Sequence, residues 1–309
     1  MPNLHDIERR IKSVNSTKQI TRTMEMVAAA KIRRASERVE SALPWAVAIS
    51  DMLISTAKYA HLDNEPLLQV HDEVKRVLIV AVTSDRGLAG GFNTNVLRYV
   101  EKLTKEKQRE GAEVEVAACG KKAIGYFTYR GIDPVFSFAG YSADPEFSQA
   151  AELSGYVMSA YAEGKLDEVF IVYNHAKNAA EQTLVEQQVL PVKEESYADL
   201  LGLTAKQEDI FKSFRERDDS AIPGDIDFEP STESVMSYMM NAYLNNAFYY
   251  AMLDSAAGEQ GARRNAMKSA TDNANEMVST LERVYNTVCQ GAITTEITEI
   301  VGGAAVLED

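Results

Sequence analysis

The chain has 309 residues, of which 45% are hydrophobic and 25% are charged, and its formal net charge at pH 7 is −14. This size and composition are typical of a globular protein with one large domain or two, and the acidic balance argues against a general nucleic-acid-binding protein. No apolar run approaches the roughly 20 residues that cross a bilayer, no signal-peptide core follows the first methionine, and Cys119 and Cys289 make no disulfide framework, so we expect a reducing compartment.

The N-terminal segment predicts one long helix, because residues 3–43 contain neither glycine nor proline. Its apolar residues recur at alternating steps of three and four, which is typical of a coiled-coil seam. The seam positions are Leu4, Ile7, Ile11, Val14, Lys18, Thr21, Glu25, Ala28, Ile32, Ala35, Val39, Ala42, Ala46, Ile49 and Leu53. A seam of this length spans roughly 75 Å, so we expect a rod with a further domain attached. Pro44 predicts a kink, and the polar residues 61–73 predict a boundary after the helix.

Three consecutive seam positions of this helix are polar, whereas apolar residues follow a neighbouring face. The polar positions are Lys18, Thr21 and Glu25, and the apolar ones are Ile20, Met24 and Val27. One interpretation is a local change of packing phase; the other is that this turn of the helix is bound from outside by another protein. Residues 1–40 also carry nine basic side chains against five acidic ones, which fits either a solvated face or a surface that meets an acidic partner.

The middle of the chain alternates between strand and helix patterns. We predict strands at 77–82, 113–118, 169–173 and 183–190, and helices at 94–108, 121–129 and 145–162. This alternation predicts a Rossmann-like α/β domain over roughly residues 74–195. Residues 196–230 are rich in charge and contain two prolines, which favours a mobile connection.

A glycine-rich loop, Ser84 to Asn93, follows the first strand and precedes a helix. Dinucleotide and phosphate sites begin in this way, but the glycine spacing matches neither G-x-G-x-x-G nor a Walker loop. A tight turn that presents Arg86 explains the same residues without a ligand. The four histidines form no metal-binding pair and lie beside no nucleophile motif, so the sequence predicts neither a cofactor nor a catalytic group.

The C-terminal segment predicts a second long helix, interrupted only by Gly258 and Gly261 between residues 231 and 290. Its seam is weaker, because several positions are polar. The seam positions are Met236, Met239, Tyr243, Asn246, Tyr250, Leu253, Ala257, Gln260, Arg264, Met267, Thr271, Ala274, Val278, Leu281, Tyr285 and Val288.

Three separated segments together resemble one known family. They are residues 11–31, the loop 84–93, and the C-terminal stretches 266–274 and 292–304. In order and spacing they resemble the gamma subunit of F-type ATP synthase, of the bacterial type. The resemblance implies an antiparallel two-helix coiled coil of the N- and C-terminal segments plus the central α/β domain. It divides the chain into a helix at 1–59, a domain at 60–229 with variable connections at 60–73 and 196–229, and a helix at 230–309.

The resemblance also implies a function. The family subunit is the central-stalk rotor: it binds no nucleotide and is not itself catalytic, and it couples rotation of the membrane ring to ATP synthesis or hydrolysis in the head. The implied partners are the catalytic beta and non-catalytic alpha subunits, the epsilon subunit and the proton-carrying ring of c subunits. The implied location is peripheral, at the cytoplasmic face of the bacterial cell membrane, which agrees with the lack of a separate presequence before the helix.

Five contact residues are implied by position in the family motifs. Met24 and Arg86 fall where the family meets an acidic loop at the base of a catalytic subunit. Gln290, Thr294 and Glu296 fall where the C-terminal helix touches a loop higher in the head. The chain departs from the family pattern at three positions, with Thr23 in place of alanine, Ala89 in place of cysteine and Cys289 in place of arginine.

Two other interpretations stay open. The glycine loop would suit a nucleotide-binding α/β enzyme with a helical dimerisation arm, for which tight ATP or NAD binding would be the evidence. The basic first helix would suit a nucleic-acid scaffold, for which strongly salt-dependent DNA binding would be the evidence, although the net acidity argues against it.

Overall fold

The structure, a computed structural model, describes residues 4–59, 73–192 and 228–307. Five helices and five strands are described in these ranges. In chain order they are α1 (Leu4–Tyr59), β1 (Arg76–Val82), α2 (Phe92–Arg109), β2 (Glu113–Cys119), α3 (Lys121–Tyr129), β3 (Phe136–Phe138), α4 (Phe147–Ala162), β4 (Glu168–His175), β5 (Thr183–Leu190) and α5 (Thr232–Leu307). The predicted class, an α/β protein with long terminal helices, is confirmed. Pro44 does not end α1, and Gly258 and Gly261 do not end α5.

The strands form one sheet in the order β3-β2-β1-β4-β5. The first four are parallel to one another, and β5 is antiparallel to β4. Sequence reasoning predicts no strand at β3. This edge strand is only three residues long and half exposed, so it lacks the continuous apolar run by which buried strands are recognised.

Strand β1 is buried on both faces, which explains its uninterrupted apolar sequence. Val77, Ile79 and Ala81 join a core that includes residues of α2 and α3. Residues at the alternate positions join a second core with α1, α4 and α5, and they are Leu78, Val80 and Val82. Because successive side chains of a strand point to opposite faces, one strand contributes to both layers of the core.

The chain divides into two compact units, Met1–Ala28 with Arg263–Asp309 and, separately, Ala29–Ala262. The second unit contains the sheet together with the adjoining parts of α1 and α5. The predicted three-segment division stays a prediction. Its variable connections, 60–73 and 196–229, lie almost entirely outside the described residues.

The predicted seam of α1 is confirmed, since each of its seam positions, from Leu4 to Leu53, is buried or half-buried. The polar positions keep this phase, because Thr21 is 8% exposed while Ile20 and Val27 are 60% and 51% exposed. The interpretation of a changed packing phase is therefore wrong. Polar residues occupy the seam here, and the apolar residues face outward.

The buried Thr21 belongs to a hydroxyl pair between the two terminal helices. Its Oγ1 lies 2.7 Å from Oγ1 of Thr271. Each hydroxyl also lies within hydrogen-bond distance of a carbonyl of its own helix, Lys18 or Met267. Since each hydroxyl has one proton, one of them donates to the other across the seam. A polar pair thus satisfies itself inside the seam.

The seam of α5 is confirmed at all predicted positions but one. Arg264 is exposed, and the neighbouring Arg263 is buried in its place. The buried positions here are Ala257, Gln260, Arg263 and Met267. The step after Gln260 is therefore three residues, where strict alternation predicts four. A register based on strict alternation is displaced by one residue at this point.

The C-terminal end of α5 extends beyond its partner. In an antiparallel pair in which Thr21 meets Thr271, the start of α1 at Leu4 falls opposite Val288. Leu4 lies 17 residues before Thr21, and Val288 lies 17 residues after Thr271. Burial ends there as expected: Val288 and Cys289 are half-buried, and residues 290–302 are all exposed. Within the described chain, this last stretch of helix is unpartnered.

We expect the hydroxyl pair to behave as one unit. Thr21→Val or Thr271→Val alone removes the interhelical hydrogen bond and should lower the free energy of unfolding by about 1 kcal/mol. The double variant should cost no more than either single variant, because two similar apolar side chains then face each other. Chemical denaturation of the four proteins measures the coupling, and strictly additive losses would contradict it.

Candidate functional site

The usual ligand position of such a sheet is the crevice at the carboxyl ends of its strands, where the connections diverge. Here it lies between β1 and β4, and helix α5 fills it. A Cβ added at Gly258 would lie 3.3 Å from both the carbonyl oxygen of Asn174 and the ring of Phe92. This close approach leaves no room for a nucleotide between helix and sheet.

Hydrogen bonds tie α5 to the end of β4. The fully buried Asp254 lies with one carboxylate oxygen 2.6 Å from Nδ1 of His175, and its other oxygen accepts the backbone N–H of Ala176 at 2.9 Å. Two turns beyond Asp254, a Cβ at Gly261 would lie 2.9 Å from the carbonyl oxygen of Ala179. The glycines that interrupt the helical pattern are therefore the positions at which α5 passes close to the end of β4 and to the loop between β4 and β5.

The glycine loop is held by Asp85. Its carboxylate accepts the backbone N–H groups of Lys121, Gly140 and Ser142 at 3.0, 2.8 and 3.0 Å. Burial alone would raise the pKa of this carboxyl, but these N–H groups outweigh burial and hold its pKa below the ordinary value of 3.8. One ionised side chain thus joins the loop after β1 to the loops that follow β2 and β3.

The fixed loop exposes a cation and an apolar side chain. The Ser84 hydroxyl lies 2.6 Å from the carbonyl oxygen of Arg86, and Asn93 caps the backbone N–H of Ser84 at 2.9 Å. The Arg86 side chain is exposed, and among the described residues it has no ion-pair partner. Leu88 is 63% exposed and adopts a positive φ of 63°. The predicted tight turn that presents Arg86 is what the structure contains.

Met24 lies half-buried on α1, beside an outward apolar surface. Its exposed neighbours on the same face are Ile20 and Val27. Arg86 belongs to the other compact unit. Met24 and Arg86, two of the predicted contact residues, therefore lie in different compact units.

The three C-terminal site residues are all exposed on the unpartnered end of α5. Gln290 and Thr294 are brought together, since the Thr294 hydroxyl donates to the carbonyl oxygen of Gln290 at 2.8 Å. By helical spacing, Gln290 lies in line with an apolar stripe, and Thr294 and Glu296 lie on its two sides. Sequence reasoning missed the stripe, which consists of Ile293, Ile297, Ile300 and Val301, each more than half exposed. Its signal was the spacing of four, three and one residues, which marks one face of a helix.

Other kinds of site are not found in the described ranges. No group of histidine, cysteine or acidic side chains there could hold a metal ion. The described helices include none that is long and apolar enough to cross a membrane. Burial raises the pKa of the Cys119 thiol well above its usual range, which makes it an inert core residue.

The fold thus defines a class of proteins in which paired terminal helices accompany a Rossmann-like sheet whose ligand position is filled by one of those helices. Comparisons with known proteins agree with this class. A family model described as ATP synthase matches residues 3–307. The ATP synthase gamma chains of Desulforamulus reducens and Heliobacterium modesticaldum are each 40% identical over 308 residues, covering 100% and 99% of this chain and all of theirs.

Solved structures agree as well. A chain of the Tetrahymena thermophila mitochondrial ATP synthase, from its central stalk and c ring, is 26% identical with a TM-score of 0.60, covering 81% of this chain and 99% of its own. A rotor chain of the Euglena gracilis enzyme shares the fold at 19% identity and a TM-score of 0.59, covering 94% and 98%. The chain belongs to the ATP synthase gamma-chain family, and it is a subunit of that complex.

Loss of the Asp85 charge should weaken the loop in a pH-dependent way. Because the folded pKa lies below the ordinary one, the stabilisation is present above pH 3.8 and is lost as the pH falls through the folded value. Asp85→Asn should therefore lower the free energy of unfolding by about 1–3 kcal/mol at pH 7, and the difference from wild type should shrink towards pH 3. Denaturation at several pH values measures it. Asp133→Asn, at an exposed loop carboxylate, is the control, and an equal effect of both would contradict the role of Asp85.

A side chain at Gly261 should push α5 away from the strand ends. Gly261→Ala places a methyl group 2.7 Å from Gln182 Nε2 and against the Ala179 carbonyl, so we expect a loss of about 1–3 kcal/mol despite better helix propensity. In the matched variant Gly291→Ala, on the same helix, the added Cβ meets nothing within 4 Å and should stabilise by up to about 1 kcal/mol. Thermal melts compare the two, and stabilisation by both would show that the close approach has no energetic role.

Proposed function

We propose that this chain is the non-catalytic rotor of its ATP synthase, coupling passage of protons through the membrane ring to conformational change at the catalytic sites. The observation that carries the proposal is the filled crevice. The Rossmann-like domain has no room at its usual ligand position, because Gly258 and Gly261 let α5 pack there. The alternative of a nucleotide-binding enzyme loses its motivating site for the same reason.

The proposed contacts with the head fall on surfaces that lack a partner in the described chain. Met24 lies beside the outward apolar residues of α1, and Arg86 is presented on the loop that Asp85 fixes. We propose that each meets an acidic loop of a catalytic beta subunit. A rigidly held loop suits this role. A cation on a fixed backbone moves together with the rotor, whereas a cation on a mobile loop would be displaced by its neighbour.

The end of α5 supplies a second proposed contact. Gln290, Thr294 and Glu296 lie on or beside an apolar stripe of α5 that has no partner within the described residues, and such a stripe in water favours association with another protein. We propose that alpha and beta subunits surround it. Cys289, at a position where the family resemblance implies an arginine, provides no charge at the edge of this proposed contact.

The remaining proposed partners are the epsilon subunit and the ring of c subunits, with the assembly at the cytoplasmic face of the cell membrane. These assignments rest on family membership alone. No role in nucleic-acid binding is proposed, since the chain has a net charge of −14.

Magnitudes limit how such a rotor can act. An exposed ion pair contributes roughly 0–1 kcal/mol, so Arg86 alone cannot set the differences between catalytic sites. A surface that binds every state of its neighbour equally shifts none of them. Coupling must therefore come from many contacts that differ between rotor orientations, apolar ones included.

Purification of the native complex tests the proposal. The tagged chain should copurify with the alpha, beta, epsilon and c subunits, identified by mass, and membrane vesicles that lack the chain should not make ATP from a proton gradient. Restoring the chain should restore synthesis. Recovery of the chain without these subunits, or synthesis in its absence, would refute the rotor role.

Met24→Lys should lower coupled synthesis. The added cation beside an acidic loop would stabilise one rotor orientation, and about 1 kcal/mol of such attraction corresponds to a factor of roughly five. Met26→Lys adds the same charge two residues away, on another side of the helix, and should have a smaller effect. Proton-driven ATP synthesis in vesicles measures both. Wild-type synthesis with Met24→Lys would refute the proposed contact.

A further inference from the structure

A cleft of about 310 Å³ lies within the unit formed by residues 29–262. Its walls are α1, the loop of residues 142–145 and α5. The apolar part of its lining includes Ala35, Leu253 and Ala256. The volume is at the lower end of the range for small-molecule sites. This cleft is separate from the filled crevice and contains none of the proposed head contacts.

Three cations line the α1 side of the cleft. Lys31, Arg34 and Arg38 recur at steps of three and four, so they share one helix face and are separated by roughly 4.5 and 6 Å along the axis. Arg38 is fixed in place, because it donates to the carboxylate of Asp144 and, at 2.7 Å, to the carbonyl oxygen of Pro145. Lys31 and Arg34 have no ion-pair partner among the described residues. Three cations and one carboxylate leave the cleft with a surplus of two positive charges.

Gln260 is the second observation that points to a ligand. It belongs to the seam of α5, is only 7% exposed and lines the cleft. Its side-chain amide has no hydrogen-bond partner among the described residues. Neither amide atom is among the fully buried side-chain atoms that lack a partner in the described residues, so the amide is open to the cleft and available to a bound group.

We propose that this cleft binds a compact oligophosphate anion, meaning two or three linked phosphate groups, either free or carried by a nucleotide. Arginine forks match phosphate oxygens in pairs, and a row of three cations suits a row of linked charges better than a single carboxylate. The Gln260 amide donates to a phosphate oxygen at the inner end. A ligand of this kind would relieve the repulsion among the cations and would pair with the open amide.

Calorimetric titration of the purified full-length chain tests the proposal, with tripolyphosphate, pyrophosphate and ADP as probes and citrate and tetraglutamate as comparison anions. We expect one tripolyphosphate per chain, bound more tightly than either comparison anion. Similar binding of ADP that responds to the same variants would assign the site to phosphates borne by a nucleotide. Binding of the inorganic probes alone would assign it to free oligophosphate.

Variants locate the site. Arg34→Ala should weaken tripolyphosphate binding about tenfold or more, which is the lower end of what a charge-assisted hydrogen bond contributes. Gln260→Glu should do the same by repulsion, and a thermal melt checks that it folds. Arg33→Ala is the matched control, since Arg33 lies on the same helix but outside the cleft, paired with Glu37 at 3.2 Å. It should change binding less than about twofold.

Several outcomes would overturn the proposal. They are the absence of saturable tripolyphosphate binding, equal losses in Arg33→Ala and Arg34→Ala, and equally tight binding of citrate or tetraglutamate. The last would mark a general anionic or acidic-peptide surface. Arg34 is exposed, so its variant decides the question even if Gln260→Glu fails to fold.

Discussion

Everything in this structure depends on one long helix meeting the other end of its own chain. Thr21 and Thr271 lie in contact although 250 residues separate them in sequence. Closing so long a loop costs conformational entropy, but that cost grows only slowly with length, and a buried seam of many turns offsets it. Since α5 also packs on the sheet, the same helix serves two cores with a single backbone.

Because α5 packs both on α1 and on the sheet, it carries residues that are unusual inside a helix. Gly258 and Gly261 let it pass the strand ends, and the buried Asp254 ties it to His175. In related folds a dinucleotide occupies this position, whereas in this protein helix α5 occupies it. The loop that exposes Arg86 is held in place, because the Asp85 carboxylate accepts three backbone N–H groups.

Polar residues in the α5 seam have different physical roles. Thr271 is satisfied by a hydroxyl on the opposite helix, which favours one register over its neighbours. Gln260 is largely buried, but its amide opens into the cleft that Lys31, Arg34 and Arg38 also line. Arg264 avoids burial altogether by a displacement of one residue. The same sequence feature, a polar residue in an apolar seam, therefore has three structural outcomes.

The sequence by itself determined the local elements and the buried side of each helix. The strand at 183–190 and the helix at 121–129 have the predicted bounds, and the α1 seam is buried or half-buried throughout, because periodicity is a property of neighbouring residues that the backbone imposes. It also gave the exposure of Arg86 through the turn chemistry of its loop. Only the tertiary structure decided what each buried side faces. The partners of Asp85, the close approach at Gly261, the short strand β3 and the unpartnered stripe after Cys289 all arise from residues distant in sequence, and no local pattern specifies which distant surface arrives there.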